Sequence, residues 1–366
     1  MQYFVTGATG FIGRFLVAEL IKRPEAKVYA LVRPGSEHKL DEVRQRCGAT
    51  AEQLLPVAGD LTRAGLGLSA DTLAQLDGKI DHFYHLAAIY DLKADAASQM
   101  RTNLEGTRHA LDAAAALHAG CFHHVSSIAA AGLYPGRFTE KMFDEAVGLD
   151  DPYFFTKHES EKCVRLDTRM PWRVYRPSMV VGDSRTGAMD KVDGPYYIFR
   201  IMKLARRFLP PWLPLIGIEG GQFNIVPVDF VAKAIDHISH KSGLDQQCFH
   251  LTADRSYTFA EMVNHVAQVA GAPQFKVSVS NNVINKGPRQ LVSRLSEWPP
   301  IRNLLTHVLD YLQLPLSAFG FLSYPTTYDR SNTIAALAGT DINPPPFDSY
   351  LDVLWRYWRE HLDTQQ

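Results

Sequence analysis

The first half of the chain alternates short runs of β-branched and aromatic residues with longer stretches in which apolar residues recur every three or four positions. This alternation is typical of a parallel β-sheet covered by helices on both faces. The short runs predict six strands, at residues 2–6, 27–33, 54–58, 81–87, 121–127 and 172–181. The longer stretches predict helices at residues 11–22, 37–46, 94–117 and 153–168. The pattern therefore predicts a doubly wound α/β fold.

The alternation stops after residue 182. Residues 183–221 are rich in proline, glycine and aromatic residues and are interpreted as an insertion, not as a sheet unit. A strand and a helix are predicted again at 224–239 and a short strand at 248–251, followed by helices broken by prolines. The last helix carries an apolar stripe at helical spacing that we expect to pack inward: Leu351, Leu354, Trp355, Trp358 and Leu362. We predict a first domain over 1–182, completed by about 222–252, and a smaller, mostly helical region over 183–221 and 253–366.

Composition and charge narrow the class of protein. Lysine plus arginine number 38 against 39 aspartate plus glutamate, and the net charge of −1 provides no basic field for a nucleic-acid backbone. The four cysteines lie far apart without a CxxC pair, which favours free thiols. The start, MQYFVTGATG, lacks a basic segment followed by an apolar one, and no apolar run approaches the roughly eighteen residues that span a bilayer. We expect a cytoplasmic protein without a nucleic-acid partner.

The loop between the first predicted strand and helix reads TGATGFIG, with its glycines spaced as GxxGxxG. Glycine permits a tight turn, a close approach of the backbone to a pyrophosphate, and close packing of helix on strand. The helix N-terminus offers free N–H groups to the phosphates. We therefore predict a dinucleotide-binding Rossmann domain. Its loop residues are Gly7, Thr9, Gly10, Phe11, Ile12 and Gly13.

The end of the second strand predicts which dinucleotide binds. An NAD site has an acidic residue about twenty positions after the last glycine, where it holds the ribose 2′-hydroxyl. Here that position is Arg33, whose guanidinium suits a 2′-phosphate, with Ser36 and Lys39 close by in sequence. We therefore predict NADPH.

Later strand ends add to this site. Asp60 and Leu61, in AGDL, follow the third strand, where the Asp60 carboxylate is expected to accept from the adenine amine. Ala87 and Ala88, in HLAA, are small enough for the cofactor to pass over the sheet edge. We also place Pro177, in YRPSMVVG, in the cofactor site.

Tyr153 is the only one of fifteen tyrosines that is followed by a lysine four residues later, Lys157. This spacing puts both side chains on one helix face. A hydride that arrives at a carbonyl carbon leaves an alkoxide that needs a proton, and a nearby ammonium together with an oxidised nicotinamide lowers the pKa of a phenol toward neutrality. Lys157 is also expected to hold the nicotinamide ribose. Ser127 is expected to orient the carbonyl, and Asn103, in TNLEGT, to brace the lysine through a water.

Six motifs, TGATGFIG, HLAA, TNLEGT, HHVSSIAAAG, YFFTK and YRPSMVVG, together resemble an extended short-chain dehydrogenase/reductase. More narrowly, VTGATGFIGRFLV, HVSSIAAAGLY, TKHESE, GAMDKVDGPYY and IGIEGGQFNIVPVDFVAKAIDHI resemble the N-terminal reductase domain of bacterial alcohol-forming fatty acyl-CoA reductases, over essentially the whole chain. The resemblance implies a catalytic triad of Ser127, Tyr153 and Lys157. It also implies that the smaller region binds substrate.

The resemblance implies an NADPH-dependent reductase of long-chain fatty acyl substrates. Members of that group usually continue into a second reductase domain beyond the point where this sequence ends, at HLDTQQ, so we expect either a domain of a longer parent protein or a natural single-domain relative. The reduction of fatty aldehyde to fatty alcohol is favoured, and the reduction of an acyl-CoA thioester to the aldehyde stays open. More distant alternatives are a nucleotide-sugar epimerase or dehydratase and a non-catalytic NADP(H)-binding regulator.

The inserted segment is unusually apolar. Its aromatic residues are interpreted either as the wall of an acyl tunnel or as the core of a small cap: Tyr196, Tyr197, Phe199, Phe208 and Trp212. Its cations are interpreted as contacts to CoA phosphates or an anionic bilayer, or as a solvated helix face: Lys203, Arg206 and Arg207. Residues 291–322, with Trp298, are a second candidate for a lid or a membrane-facing surface. We expect no metal site, because His123 and His124 are adjacent on a strand and point to opposite faces.

Overall fold

The computed structural model describes residues 1–88, 95–189, 196–279 and 324–363. The chain forms two compact units. The first contains Met1–Val180, Val226–Thr252 and Tyr328–Pro344, and the second contains Val181–Ile225, Ala253–Thr327 and Pro345–Gln366. In this division Tyr328–Pro344 belongs to the first unit, whereas the sequence pattern assigned these residues to the smaller region.

The first unit contains a parallel sheet of seven strands within the described part of the chain. They are β1 (Gln2–Thr6), β2 (Lys27–Val32), β3 (Leu54–Ala58), β4 (His82–His85), β5 (Cys121–Val125), β7 (Trp172–Pro177) and β12 (Gln247–Leu251). Their order in the sheet is β12-β7-β5-β4-β1-β2-β3. The chain runs outward from β1 to one edge and then returns to build the other side, so the strand order reverses between β1 and β4. This confirms the doubly wound fold and places its switch point, where such sheets bind ligands, beyond Thr6 and His85.

Shorter strands occupy other parts of the described chain. They are β6 (Gly136–Phe138), β8 (Met179–Val181), β9 (Leu215–Ile218), β10 (Gln222–Phe223), β11 (Ile225–Pro227), β13 (Tyr257–Thr258), β14 (Phe275–Val279) and β15 (Thr326–Tyr328). The strand predicted at 172–181 is thus divided into β7 and β8, because the chain leaves the sheet pairing at Ser178.

The first unit holds eight of the described helices. They are α1 (Phe11–Leu20), α2 (His38–Cys47), α3 (Ala70–Leu76), α4 (Ala96–Gln99), α5 (Gly106–Ala116), α6 (Pro152–Leu166), α8 (Val228–His240) and α10 (Ser331–Leu337). The helix predicted at 94–117 continues from α4 into α5 with helical backbone angles, and the segment between them, Met100–Glu105, is a π-helical turn. The side chains of alternate sheet residues form separate layers. On one face Phe4, Phe83 and Phe122 stack at centroid distances of 4.7 and 5.4 Å.

The second unit contains α7 (Tyr196–Phe208), α9 (Phe259–Ala270) and α11 (Phe347–Tyr357), with the parallel pair β9–β14 and the antiparallel pair β10–β13. Its core is aromatic, because Phe199 packs edge-on against Trp355 and Trp358 at 5.3 and 5.7 Å. The predicted apolar stripe of the last helix is buried at Leu351, Leu354, Trp355 and Trp358, whereas Leu362 is only partly buried. Among the described residues, none of the helices combines the length and the hydropathy needed to cross a bilayer.

Candidate active site

The glycine-rich turn lies between β1 and α1 at the carboxyl edge of the sheet. Gly7 has a φ of +76°, and a Cβ on it would lie 2.8 Å from the amide nitrogen of Ala87. A Cβ on Gly13 would lie 2.0 Å from the Gly7 carbonyl oxygen, so α1 packs on the turn at a distance that only glycine allows. Helix α1 begins at Phe11, and no side chain caps its first amide groups. These close approaches and the uncapped helix N-terminus fit a dinucleotide pyrophosphate.

Arg33 and Asp60 follow β2 and β3 at the same edge of the sheet. Hydrogen bonds from the Thr62 amide and hydroxyl, both 2.8 Å long, lower the pKa of Asp60, and the Arg33 charge lowers it further. The Ser36 amide donates to the Arg33 carbonyl at 2.9 Å, which closes a turn after β2. Arg33 and Lys39 are exposed, so their charged groups are accessible to a phosphate.

The remaining residues predicted for the cofactor site lie near these turns and strand ends. Thr9 is in the glycine-rich turn, Ile12 is in the first turn of α1, and Pro177 is the last residue of β7. The Leu61 carbonyl lies 2.8 Å from His109 Nδ1, and Ala88 is exposed beyond β4. Their contact with a cofactor stays a prediction.

Helix α6 carries Tyr153 and Lys157. The Asp151 carboxylate accepts from the Tyr153 amide at 2.8 Å, and Pro152 lies in the first turn, so this helix has a well-defined start. Lys157 is 6% exposed, and its Nζ lies 3.4 Å from the Val125 carbonyl oxygen at the end of β5. Burial lowers the pKa of Lys157 to about 8, and the Glu161 carboxylate opposes this shift.

Ser127 follows β5 in an extended conformation and caps the short 3₁₀-helix Ile128–Ala131, its Oγ accepting from the Ala129 amide at 3.1 Å. Its side chain also interacts with the Tyr153 phenol. Burial raises the pKa of Tyr153 to about 12, the Ser127 side chain lowers it, and the Asp151 carboxylate raises it. The phenol is therefore protonated at neutral pH. A lower pKa in the presence of oxidised cofactor stays a prediction.

Asn103 lies in the π-helical turn Met100–Glu105 and is 2% exposed. Its side-chain amide donates to Thr156 Oγ1 at 3.3 Å, and Ser160 Oγ lies 2.8 Å from its main-chain oxygen. Thr156 precedes Lys157 on α6, and Ser160 follows one turn after Thr156. Asn103 thus contacts α6 directly, at residues on both sides of Lys157. The contact with Lys157 itself through a water, which the sequence analysis expects, stays a prediction.

Glu161, to which the sequence pattern assigned no role, is at the centre of a buried network. Glu161 and Arg176 are both fully buried and are joined by two hydrogen bonds of 2.6 and 2.9 Å. Arg165 and Ser126 also donate to the Glu161 carboxylate, at 2.7 and 2.8 Å. Burial would raise the pKa of Glu161, but the two arginines hold it well below its usual value. Glu161 is the last residue of the TKHESE motif, yet nothing in that motif indicates its distant partner on β7.

The aromatic residues proposed for a tunnel wall or a cap core differ in burial, and Tyr197 is intermediate. Tyr196 and Phe199 are 4% and 1% exposed and belong to the core of the second unit, whereas Phe208 and Trp212 are 70% and 78% exposed. Two of the three cations have partners, since Lys203 pairs with Asp363 at 2.5 Å and Arg206 donates to the Ala270 carbonyl at 3.1 Å. The segment 291–322, including Trp298, lies outside the described residues.

The two adjacent histidines of β5 point in opposite directions. His123 lies 2.9 Å from the His82 ring and 3.0 Å from the Tyr175 hydroxyl, whereas His124 stacks on His85. Across the ranges that the structure describes, there is no group of three or more histidine, cysteine, aspartate or glutamate side chains that could hold a metal ion. The four cysteines are free.

Comparison with known proteins places this chain in a recognised family. A family model described as "Male sterility protein", an NAD-binding domain, matches residues 5–235. A linear gramicidin synthase from Brevibacillus parabrevis is 30% identical over 274 residues, which cover 71% of this chain and 5% of that protein. Aldehyde reductase lnaA from Aspergillus flavus is 27% identical over 359 residues, which cover 92% of this chain and 34% of that protein. The chain therefore spans between 5% and 34% of the length of these curated relatives.

One solved structure is similar over the whole length of this chain. The terminal R domain from the myxalamid PKS-NRPS biosynthetic pathway superimposes with a TM-score of 0.75 and 25% identity, covering 100% of this chain and 92% of that one.

Proposed function

The chain belongs to the male sterility protein family of NAD-binding domains, and from this premise we propose that it uses NADPH to reduce a long-chain fatty acyl substrate at its carbonyl group. The proposed reaction converts a fatty aldehyde into the fatty alcohol. The chain is an oxidoreductase of the extended short-chain dehydrogenase/reductase type with an NAD(P)-binding domain. The substrate class, the direction of the reaction and the choice of NADPH are what the proposal adds.

One observation carries the proposal. Tyr153 and the buried Lys157 lie one turn apart on α6, Ser127 interacts with the Tyr153 phenol, and Lys157 Nζ reaches the end of β5. A carbonyl reduction needs a hydrogen-bond donor for the oxygen, a proton donor, and a positive charge that stabilises the anion left behind. These three residues supply the three functions.

Each residue has a defined part in the reduction. When bound, NADPH supplies the hydride to the carbonyl carbon. The Ser127 hydroxyl donates a hydrogen bond to the carbonyl oxygen and orients it. Tyr153 Oη gives its proton to that oxygen as negative charge develops there, and the Lys157 ammonium stabilises the phenolate that remains. Burial and the Asp151 carboxylate raise the pKa of Tyr153, which stands at about 12, and the proposal assigns to the positive charge of Lys157 the lowering that this transfer requires.

NADPH is proposed on the character of the turn after β2. The residue that would be acidic in an NAD site is the exposed Arg33, and the exposed Lys39 follows it. A guanidinium binds a 2′-phosphate through charge-assisted hydrogen bonds and offers no acceptor to a 2′-hydroxyl.

A second candidate reaction is the reduction of an acyl thioester to the aldehyde. The similarity to a terminal R domain of a PKS-NRPS pathway favours it, because such pathways carry acyl chains as thioesters. The first hydride would give a hemithioacetal, whose collapse breaks the C–S bond and releases thiol and aldehyde. Tyr153 and Lys157 would act on the oxygen as before.

Two more distant functions fit less well. A nucleotide-sugar site needs a polar and basic lining, whereas the segment that contains Phe208 and Trp212 is apolar and aromatic. A non-catalytic NADP(H)-binding regulator has no need for a tyrosine that interacts with a serine and lies one helical turn before a buried lysine.

The deciding experiment compares substrates. The purified chain is mixed with NADPH and either tetradecanal or tetradecanoyl-CoA, and separately with NAD⁺ or NADP⁺ and UDP-glucose, and the products are identified by chromatography. Tetradecanol from the aldehyde, with the thioester unreacted, is the expected result. Tetradecanal from the thioester would replace the first reaction with the second, and activity on the sugar nucleotide alone would overturn both.

We also propose a cytoplasmic location with peripheral membrane contact, and a longer parent protein with a second reductase domain. The exposed Phe208 and Trp212 lie near Arg206 and Arg207 in sequence, a combination that favours an anionic lipid surface. Co-sedimentation with phosphatidylserine vesicles, and loss of binding in a Phe208→Ser/Trp212→Ser variant, would support the contact. Equal recovery of both proteins in the supernatant would contradict the membrane contact.

Cell fractionation tests the cytoplasmic location, and the length of the native polypeptide tests the longer parent protein.

A further inference from the structure

His85, the first residue of the HLAA motif, is held between two threonine hydroxyls. It is 2% exposed, with Nδ1 2.8 Å from Thr6 Oγ1 and Nε2 3.0 Å from Thr107 Oγ1. Thr6 is the last residue of β1, immediately before Gly7, and Thr107 lies in α5, one turn after Asn103. His85 therefore joins the strand that leads into the glycine-rich turn to the helix that follows the Asn103 turn.

The contact at the Asn103 end determines where each proton lies. Thr107 Oγ1 is 2.6 Å from the Asn103 main-chain oxygen, which only accepts, so the Thr107 hydroxyl donates to it. Thr107 Oγ1 then accepts from His85 Nε2–H, which leaves Nδ1 without a proton. Nδ1 in turn accepts from the Thr6 hydroxyl, and Thr6 Oγ1 accepts from the Ala87 amide at 3.4 Å. His85 is thus the neutral Nε2–H tautomer. In each hydrogen bond of this chain, the donor is the group nearer the glycine-rich turn and the acceptor is the group nearer Asn103.

The surroundings of His85 keep its ring neutral. Burial lowers the pKa of His85 well below the usual value, and the neighbouring His124 and Lys157 lower it further. The His124 ring is stacked on His85 at 5.6 Å. The direction of the hydrogen bonds is therefore stable at neutral pH, because a second ring proton would reverse the bond to Thr6.

Both ends of this chain of hydrogen bonds reach the candidate active site. At one end, the Ala87 amide nitrogen lies against Gly7, at 2.8 Å from where a Cβ would be. At the other end, Asn103 contacts Thr156 and Ser160, on either side of Lys157. The turn expected to hold the cofactor and the helix that carries the lysine are thus linked through buried polar groups.

We propose that His85 and Thr107 are positioning residues, which set the place of Asn103 and, through it, of helix α6 and Lys157 relative to the glycine-rich turn. This inference rests on the proposed function for the role of Lys157 in stabilising the Tyr153 phenolate. Its geometrical part, that the hydrogen bonds of His85 control the environment of Lys157, is tested without any substrate.

The test uses three substitutions of threonine. Thr107→Val removes the hydroxyl while keeping the shape of the side chain, and Thr107→Ser restores the hydroxyl. Thr252→Val is the matched control, since Thr252 in the same unit is fully buried and its hydroxyl has no partner among the described residues. Thr107→Ala is the second variant if Thr107→Val fails to fold.

Nuclear magnetic resonance supplies the first readout. In the wild-type protein, isotope-labelled histidine should show His85 protonated at Nε2 only at neutral pH. Labelled lysine, with the Lys157 resonance assigned from its loss in Lys157→Arg, reports the Lys157 pKa. Because burial holds that pKa at about 8, loosening of α6 in Thr107→Val should raise it, by roughly half a unit or more. Thr107→Ser should return it, and Thr252→Val should leave it unchanged.

Kinetics supply the second readout, with tetradecanal and NADPH. Thr107→Val should lower kcat about tenfold, the effect of disrupting one buried hydrogen-bonded link, with the KM for NADPH nearly unchanged. Its pH profile for kcat should move to higher pH, because a more distant ammonium stabilises the phenolate less. Thr107→Ser should recover both properties.

The outcomes separate the two hypotheses. If no tested substrate is reduced, the proposed function fails, and the resonance data still decide the positioning role. A His85 proton on Nδ1, or a Lys157 pKa that is unchanged in Thr107→Val, overturns the inference. So does an equal shift in the Thr252→Val control, since a general loss of packing would then be the cause.

Discussion

Ser126 and Ser127 are adjacent, but their side chains have different partners, so replacing each by alanine separates stability from catalysis. Ser126 donates to the buried Glu161 carboxylate at 2.8 Å, a bond to a charged group. Its loss should cost about 1.5–3 kcal/mol of the free energy of unfolding. Glu161 keeps Arg176 and Arg165 as partners, so α6 stays anchored and kcat should stay within about threefold of wild type.

Ser127→Ala should have the opposite balance. It removes the donor expected to contact the carbonyl oxygen, an effect of about a hundredfold to a thousandfold on kcat. The structural loss is the cap on the Ala129 amide, at 3.1 Å, which is about 1 kcal/mol. The assay pairs thermal unfolding with the rate of NADPH consumption on the substrate identified above, and each variant is the control for the other. The reasoning is refuted if Ser126→Ala loses as much kcat as Ser127→Ala, or if Ser127→Ala retains nearly full turnover.

Three further substitutions test the site. Tyr153→Phe should abolish nearly all turnover and still bind NADPH in a fluorescence titration; turnover close to that of wild type would exclude Tyr153 as the proton donor. Burial lowers the pKa of Lys157 from 10.5 to about 8. Between pH 8 and pH 10.5 the unfolded chain therefore binds more protons than the folded chain, and the free energy of unfolding should rise with pH across this range. Lys157→Met should remove this rise and be more stable by about 3 kcal/mol near neutral pH. If the free energy of unfolding changes with pH in the same way in Lys157→Met and in the wild-type protein, the assignment is contradicted. Arg33→Asp should weaken NADPH binding at least about tenfold and change NADH binding much less, and equal losses for both cofactors would remove Arg33 from the 2′-phosphate site.

The hydrophobic pattern is sufficient to predict the architecture of the first unit. A strand buried on both faces and a helix buried on one have different periods, and both periods are local properties of the sequence. The glycine-rich turn is predicted for the same reason, because Gly13 packs against the Gly7 carbonyl only six residues earlier in the sequence, whereas the approach of Gly7 to Ala87 depends on the fold. Tyr153 and Lys157 are predicted from their helical spacing together with their position between the fifth and sixth predicted strands. Ser127 is predicted from its place at a strand end.

Other features depend on contacts between residues that are distant in the sequence. Glu161 meets Arg176 only because α6 packs against β7, and Thr6 meets His85 only because β1 and β4 are neighbours in the sheet. Local patterns carry no information on these pairs, so HLAA and TKHESE are recognised as motifs while His85 and Glu161 receive no role. The π-helical turn at Asn103 and the return of Tyr328–Pro344 to the first unit were missed for the same reason. Periodicity reports which side of an element is buried, and only the folded chain decides which residue lies opposite.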